Sequence, residues 1–133
     1  MTARDQTGQK PAIVPSRLKK RADFVAASKG RRFHAGGFTL QSAKRSVAAP
    51  DVARIGLTVT KKTGNSVVRN RIRRRLREAL RTGAGAATDP SHDYVIVARR
   101  ELLSANFAAL GAGLAAAFQK IHSPRPPRGS RAN

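Results

Sequence analysis

A dense run of arginines interrupted by one asparagine is the part of this sequence best suited to binding a ligand. Residues 67–81 read VVRNRIRRRLREALR, and Glu78 is the only acid among them. Each arginine fork can donate two parallel hydrogen bonds to a phosphate. The amide of Asn70 can both donate to and accept from a base edge or a 2′-hydroxyl. These residue types predict a nucleic-acid ligand.

The spacing of the run favours a helix with two unlike faces. One face collects the apolar side chains Val68, Ile72, Leu76, Ala79 and Leu80. The rest of the surface carries Arg69, Asn70, Arg71, Arg73, Arg74, Arg75 and Arg77. Arginines three or four positions apart repel one another, and a solvent-exposed face would normally mix charge signs. The uncompensated repulsion favours phosphate binding over a merely solvated face.

The neighbouring elements extend this positive surface. Residues 55–60 alternate apolar with small or polar side chains, which indicates a half-buried strand, and Lys61 and Lys62 follow at its end. Ser66 is placed to cap the arginine helix and Gly83 to end it, before a flexible stretch. We therefore expect the two lysines beside the arginines, as part of one positive, nucleic-acid-binding surface.

The remaining elements predict a single α+β domain with helices packed against a sheet. Before the arginine helix, we predict a helix over 17–28 capped by Ser16, a strand over 34–43 and a turn at Ala49-Pro50-Asp51. After it, we predict a strand over 93–99 and a last helix capped by Ser104. The buried face of that last helix holds Phe107, Leu110, Leu114, Phe118 and Ile121. The order is helix, strands, helix, strand, helix. Residues 1–15 and 122–133 are polar or rich in proline and arginine, so we expect disordered tails around a domain over 16–121.

The composition limits the class of protein. The 133 residues carry 27 lysines and arginines against 7 acids, a net charge of +20, and a compact fold with this charge calls for a polyanionic partner. The absence of cysteine excludes disulfides and thiolate metal sites. No apolar run is long enough to span a membrane or to form a signal segment. We therefore expect a cytoplasmic protein that binds no membrane.

Other functions find less support in the residues. A protein hydrolase needs convergent acid, base or nucleophilic groups, but His34, His92 and His122 are widely scattered in the sequence. Asp89, His92 and Asp93 flank a proline, and turn chemistry explains them. A helix-turn-helix protein would need a helix where the alternating strand lies. A ribosomal protein shares the size, the basicity and the tails, and stays open on these grounds.

A longer segment around the arginines resembles a known family. Residues 54–78, RIGLTVTKKTGNSVVRNRIRRRLRE, are similar without a gap to the signature of the bacterial ribonuclease P protein subunit. The resemblance continues upstream through RLKK at 17–20 and downstream through DYVIVAR at 93–99. It covers residues 16–121, and the tails fall outside it.

The resemblance implies a fold and a division of labour. It implies a central four-stranded sheet with a left-handed crossover, an exception to the right-handed rule. It also implies a ribonucleoprotein endonuclease in which the catalytic RNA removes the 5′ leader of precursor tRNA. Mg²⁺ would be required by that RNA, with no ligands from the protein. The protein would contribute no catalytic residue and would need no protein partner.

The resemblance also implies roles for particular side chains. Arg69, Asn70, Arg71, Arg73, Arg74 and Arg77 would lie against the catalytic RNA. Phe24 and Phe38 would line the cleft that receives the leader, where aromatic rings can stack on bases of any kind. In that cleft, Ser28 stands where many members carry a second aromatic residue, and Gln41 where some carry a tyrosine.

Overall fold

Three helices and a five-stranded sheet make up the folded part of the chain, which the computed structural model describes over residues 15–45 and 52–122. The helices are α1 (Arg21–Ser28), α2 (Ser66–Arg81) and α3 (Phe107–Ile121). The strands are β1 (Ser16–Arg17), β2 (Arg31–Ala35), β3 (Phe38–Lys44), β4 (Arg54–Thr58) and β5 (His92–Ala98). The expected turn at 49–51 lies outside the described residues, as do the expected tails apart from Pro15 and His122.

The sheet is mixed, with strand order β1-β4-β5-β3-β2. Strand β4 pairs in parallel with both β1 and β5, whereas β3 pairs antiparallel with β5 and β2. The α+β class is confirmed, and so is the central position of the apolar strand, which has a partner on each side. The sheet has five strands where four were expected. The chain crosses from β4 to β5 through α2, and the left hand of this crossover stays a prediction.

The added strand corrects the expected start of the first helix. Ser16 caps no helix: its N–H donates to the carbonyl of Ala53 at 2.9 Å, and the N–H of Leu18 donates to Ile55 at 3.0 Å. Helix α1 begins only at Arg21 and has no side-chain cap. Pairing with the open edge of β4 satisfies backbone groups that a longer helix would have used internally, and it covers part of that edge.

A hairpin replaces the single strand expected over 34–43. Strands β2 and β3 are joined at Gly36-Gly37, with Ala35 opposite Phe38. Gly37 has φ +92°, a left-handed backbone conformation that residues with a Cβ rarely adopt. A Cβ at Gly37 would also lie 2.7 Å from Cδ2 of Leu102. The glycine pair therefore allows the chain to reverse direction at a point where one continuous strand was predicted.

The two faces of the sheet carry separate apolar clusters. Helices α2 and α3 cover the larger one, and the smaller one lies under α1 around Leu18, Ala27 and Val95. The predicted inner face of α2 is confirmed: Ile72, Leu76, Ala79 and Leu80 are buried and Val68 packs against them. The predicted face of α3 is confirmed except at Phe107, which is 39% exposed.

Asparagines cap both long helices, where serines were expected. The side chain of Asn65 accepts the N–H of Val68 at 3.0 Å, so Ser66 is the first residue of α2 and not its cap. Asn106 accepts the N–H of Ala109 at 3.0 Å in place of Ser104. After α2, the stretch expected to be flexible forms a 3-10 turn over Ala84–Ala87 whose first two residues are buried.

Arg54 ties two strands and a helix together. It lies opposite Asp93 in the parallel β4–β5 register and donates to both carboxylate oxygens, at 2.8 and 2.6 Å. Asp23 of α1 lies 3.3 Å from the same guanidinium. Nε of Arg45, the residue that follows β3, lies 3.5 Å from Oδ1 of Asp93. The hydrogen bond to Asp93 raises the pKa of Arg54, which favours the charged guanidinium at the edge of the core.

Gly56 lets α1 sit directly on the sheet. A Cβ at this position would lie 2.4 Å from Cε1 and Cζ of Phe24 and 3.2 Å from Cβ of Leu18. Real Cβ atoms do not approach that closely, so the half-buried Phe24 ring rests on the bare backbone of β4. The position of that ring depends on the glycine.

Gly56→Ala should lower the free energy of unfolding by about 1 to 3 kcal/mol, because the new methyl group overlaps the Phe24 ring. In a Phe24→Ala background the same change should cost much less, and a double-mutant cycle by urea unfolding measures the coupling. Gly111→Ala is the matched control, since a Cβ there meets nothing within 4 Å. If Gly56→Ala lowered the free energy of unfolding equally in both backgrounds, the contact between Gly56 and the Phe24 ring would be contradicted.

Candidate nucleic-acid interface

Five of the seven arginines of α2 form a basic flank outside the core-facing stripe of the helix. Arg71, Arg74 and Arg77 are exposed and Arg69 and Arg73 are half-buried. Asn70 is exposed on the same flank. Lys61 and Lys62 are exposed in the 3-10 turn Lys61–Thr63 that precedes the helix. The structure thus leaves all the predicted basic residues on the solvent-accessible part of α2 and of the turn before it, a set that we call the arginine surface.

Acidic side chains do not neutralise this surface. Glu78 is the only acid in α2, and it pairs with Arg81, one turn beyond the arginine surface. Over residues 15–45 and 52–122, no ion pair involves Arg69, Arg71, Arg73, Arg74 or Arg77. The repulsion that the sequence predicted is therefore present in the folded protein.

Two hydrogen bonds orient the N-terminal half of the surface. Nε of Arg69 donates to the carbonyl of Gly64 at 3.2 Å, and Nη1 of Arg73 donates to Oδ1 of Asn70 at 3.3 Å. The amide oxygen of Asn70 is thus engaged by its neighbour, whereas its NH₂ can donate to a ligand. Arg69 and Arg73 retain further N–H groups for phosphate oxygens.

Arg75 belongs to the helix packing and not to the arginine surface. Its Nη2 donates to the carbonyl of Ala105, and its guanidinium lies over the Phe107 ring at 5.9 Å from the centroid. These contacts join α2 to the start of α3, and they account for Phe107 lying outside the core. Such stacking stabilises a partly desolvated arginine.

Arg17 is a basic residue that the sequence analysis did not assign to this surface. Strand β1 brings it beside Arg73 and Arg77, around a cavity of about 560 Å³ that Phe24 and Gly56 also line. Burial, followed by the charges of Arg17 and Arg73, lowers the pKa of Arg77. A sequence pattern could not have revealed this convergence, because it depends on the pairing of β1 with β4.

The two phenylalanines predicted for the cleft have different surroundings. Phe24 is half-buried on α1 and lines the cavity, so its ring is accessible from the side of the arginines. Phe38 is 2% exposed and belongs to the cluster under α2 and α3, on the opposite face of the sheet. The prediction that Phe38 lines a leader cleft is therefore wrong for this structure, because the core requires its ring.

The neighbouring positions offer no second aromatic ring to the cavity. Phe33 packs against the same cluster as Phe38, with the Lys120 ammonium 5.9 Å from its ring centroid. The Ser28 hydroxyl donates to the carbonyl of Val25 in its own helix at 2.7 Å. Gln41 is buried in β3. Among the described residues that line the cavity, Phe24 is the only phenylalanine.

Within the described residues, no helix is both long enough and apolar enough to cross a bilayer.

Comparison with known proteins agrees with this architecture. The family model described as Ribonuclease P matches residues 14–122. A ribonuclease P protein component from Brucella suis is 46% identical over 100 residues, 71% of this chain and 71% of the relative. One from Ruegeria pomeroyi is 41% identical over 110 residues, 82% of this chain and 88% of the relative.

Two solved structures of RNase P proteins are similar in fold to this chain. The RNase P protein of Staphylococcus aureus matches with a TM-score of 0.65 and 26% identity, covering 80% of this chain and 94% of that one. The RNase P protein of Thermotoga maritima matches in fold with a TM-score of 0.68 over 81% of this chain and 99% of that one, at 24% identity. With a family model spanning most of its length and relatives above 40% identity, the chain belongs to the family of ribonuclease P protein components.

Proposed function

We propose that the arginine surface binds the catalytic RNA of ribonuclease P and that the adjoining cavity holds the 5′ leader of precursor tRNA. Ribonuclease P protein components are subunits of an endoribonuclease ribonucleoprotein in which the RNA does the catalysis. The protein's task is then binding and positioning. We also propose that the Mg²⁺ of the reaction is held by the RNA, without ligands from the protein.

One observation supports this proposal above the others. Guanidiniums from two elements distant in sequence, Arg17 of β1 and Arg73 and Arg77 of α2, meet around a cavity with an accessible aromatic ring. Their like charges repel one another, so bringing them together costs free energy. Binding of a phosphate backbone would offset that cost. A surface selected for stability alone would place a carboxylate among them.

The arrangement suits a single strand that leaves a structured RNA. Arginine forks on α2 can grip backbone phosphates in pairs, which holds the protein in register without reading sequence. The Phe24 ring offers a stacking surface that accepts any base. Because the cavity adjoins the arginine surface, a leader bound there would emerge beside the RNA that α2 contacts. The protein would thereby align the leader with the cleavage site.

A cleavage assay on precursor tRNA at low Mg²⁺ tests the proposal. Catalytic RNA alone, this protein alone, and the two together should be compared. We expect activity in the mixture to exceed that of the RNA, and none from the protein alone. If the protein binds RNA tightly but never stimulates cleavage, the positioning role is wrong and a structural RNA-binding role replaces it.

Phe24→Ala should weaken binding of precursor tRNA with a leader of several nucleotides by about 5- to 100-fold, since stacking on an aromatic ring contributes about 1 to 3 kcal/mol per base. Affinity for leaderless tRNA should stay unchanged. Titrations of the assembled holoenzyme with both RNAs measure the difference. Phe33→Ala, which trims a phenylalanine on the opposite face, is the matched control. Equal losses for both RNAs would mark Phe24 as a packing residue only.

A further inference from the structure

Three potential metal ligands that are separate in sequence meet at the far end of the molecule. Asp89 precedes β5, His92 begins it, and His122 follows the last turn of α3. One ligand atom from each lies within 4.8 Å of the others. Turn chemistry, which the sequence predicted for Asp89 and His92, is present too: Oδ1 of Asp89 accepts the N–H of Ser91 at 2.9 Å. The turn does not explain why His122 lies beside Asp89 and His92.

Each of these side chains is already oriented by a neighbour. Because the Ser91 N–H and hydroxyl both donate to Oδ1 of Asp89, its Oδ2 is turned toward Nδ1 of His92, 3.4 Å away. The Tyr94 hydroxyl accepts the N–H of Asp89 at 2.8 Å and is hydrogen-bonded to Nε2 of His122. The two imidazole centroids are 4.4 Å apart. Oγ of Ser91 also lies 3.3 Å from Nδ1 of His92, so Ser91 and Tyr94 are partners of the kind that orient ligands in metal sites.

We propose that Asp89, His92 and His122 bind one Zn²⁺ ion, with water completing the coordination. Ligands at about 2.0 to 2.1 Å in a tetrahedron lie about 3.3 Å apart, so the cluster needs to contract by at most about 1.5 Å. Asp89 is 46% and His92 21% exposed, which leaves an entry path and room for water.

The donor set selects zinc over the magnesium that serves the RNA. Two imidazole nitrogens and one carboxylate suit Zn²⁺, whereas Mg²⁺ prefers oxygen ligands and retains its waters. Arg31 of β2 adds positive charge nearby, and the net charge of +20 also opposes a cation. We therefore expect micromolar and not nanomolar affinity.

Zinc binding would join the start of the central strand to the end of the last helix. The ion would close a loop between residues 89 and 122 and stabilise the folded chain, which binds it, over the unfolded chain, which does not hold the ligands together. At a Zn²⁺ concentration about 100 times Kd, we expect Tm to rise by about 10 to 15 °C.

Calorimetric titration of ZnCl₂ into the full chain, stripped with a chelator and desalted, tests the proposal. We expect one ion per chain, and His122→Gln and His92→Gln should each weaken binding at least tenfold. His34→Gln, which alters the remaining histidine on the β2–β3 hairpin, should bind as the unaltered chain does. Circular dichroism establishes that each variant is folded, and Co²⁺ absorption in the visible range reports coordination independently of heat.

Two results would overturn the site. One is the absence of both zinc heat and a Co²⁺ band in the unaltered chain. The other is undiminished binding in a folded His92→Gln/His122→Gln double variant.

Discussion

A chain in which Arg73 and Arg77 are both alanine should bind the catalytic RNA at least about tenfold more weakly at physiological salt, because two charge-assisted contacts to phosphate are lost. The slope of log K against log salt should become shallower by about 1.8, at roughly 0.9 per phosphate on duplex RNA. Filter binding or fluorescence anisotropy at several salt concentrations measures both quantities.

The same variant should be no less stable than the unaltered chain. After burial, the charges of Arg17 and Arg73 lower the pKa of Arg77, and the alanines remove this repulsion. Lys44→Ala/Lys120→Ala is the matched control: it removes the same charge from exposed positions outside the arginine surface. If the control lost as much RNA affinity and as much salt slope, net charge and not the arginine surface would account for binding.

Arg54→Met should lower the free energy of unfolding by about 2 to 3 kcal/mol, because it leaves the carboxylate of Asp93 nearly buried with only Arg45 nearby. The Asp93 side chain is 10% exposed, so water can replace little of what the guanidinium provided. Urea unfolding at neutral pH gives the free energy, and an unchanged m-value would show that the loss is local.

Arg81→Met is the control for this change. It also breaks an arginine–carboxylate pair, but Arg81 and Glu78 are 60% and 49% exposed. Solvated pairs of this kind contribute little, so the free energy of unfolding should stay nearly constant. Similar losses in the two variants would mean that burial does not set the strength of the Arg54–Asp93 pair.

Local patterns predicted what depends on one element at a time. The inner faces of α2 and α3, and the central apolar strand, follow from periodicity because burial of one stripe decides each of them. The hairpin at Gly36-Gly37 was missed although a glycine pair is a turn signal, because the flanking β-formers were taken as one run. The caps of α2 and α3 were misplaced by one and two residues, since an asparagine lies close to each predicted serine.

What could not be predicted depends on contacts between distant segments. Arg17 reaches the arginine surface only through the parallel pairing of β1 with β4. Phe38 falls on the core face through the β3–β5 register, which no local pattern fixes. The meeting of His92 with His122 requires α3 to end over the start of β5. Sequence identified the residue types of the interface, whereas topology decided which of them share a surface.

The strand order has a consequence for synthesis on the ribosome. Strand β5 lies at the centre of the sheet yet is the last of the described strands in chain order, so β4 and the β2–β3 hairpin cannot join until residue 98 has emerged. Until then two strand edges stay open, the condition in which nascent chains associate with one another. The excess of positive charge that calls for a polyanion in the finished protein keeps such half-made chains apart.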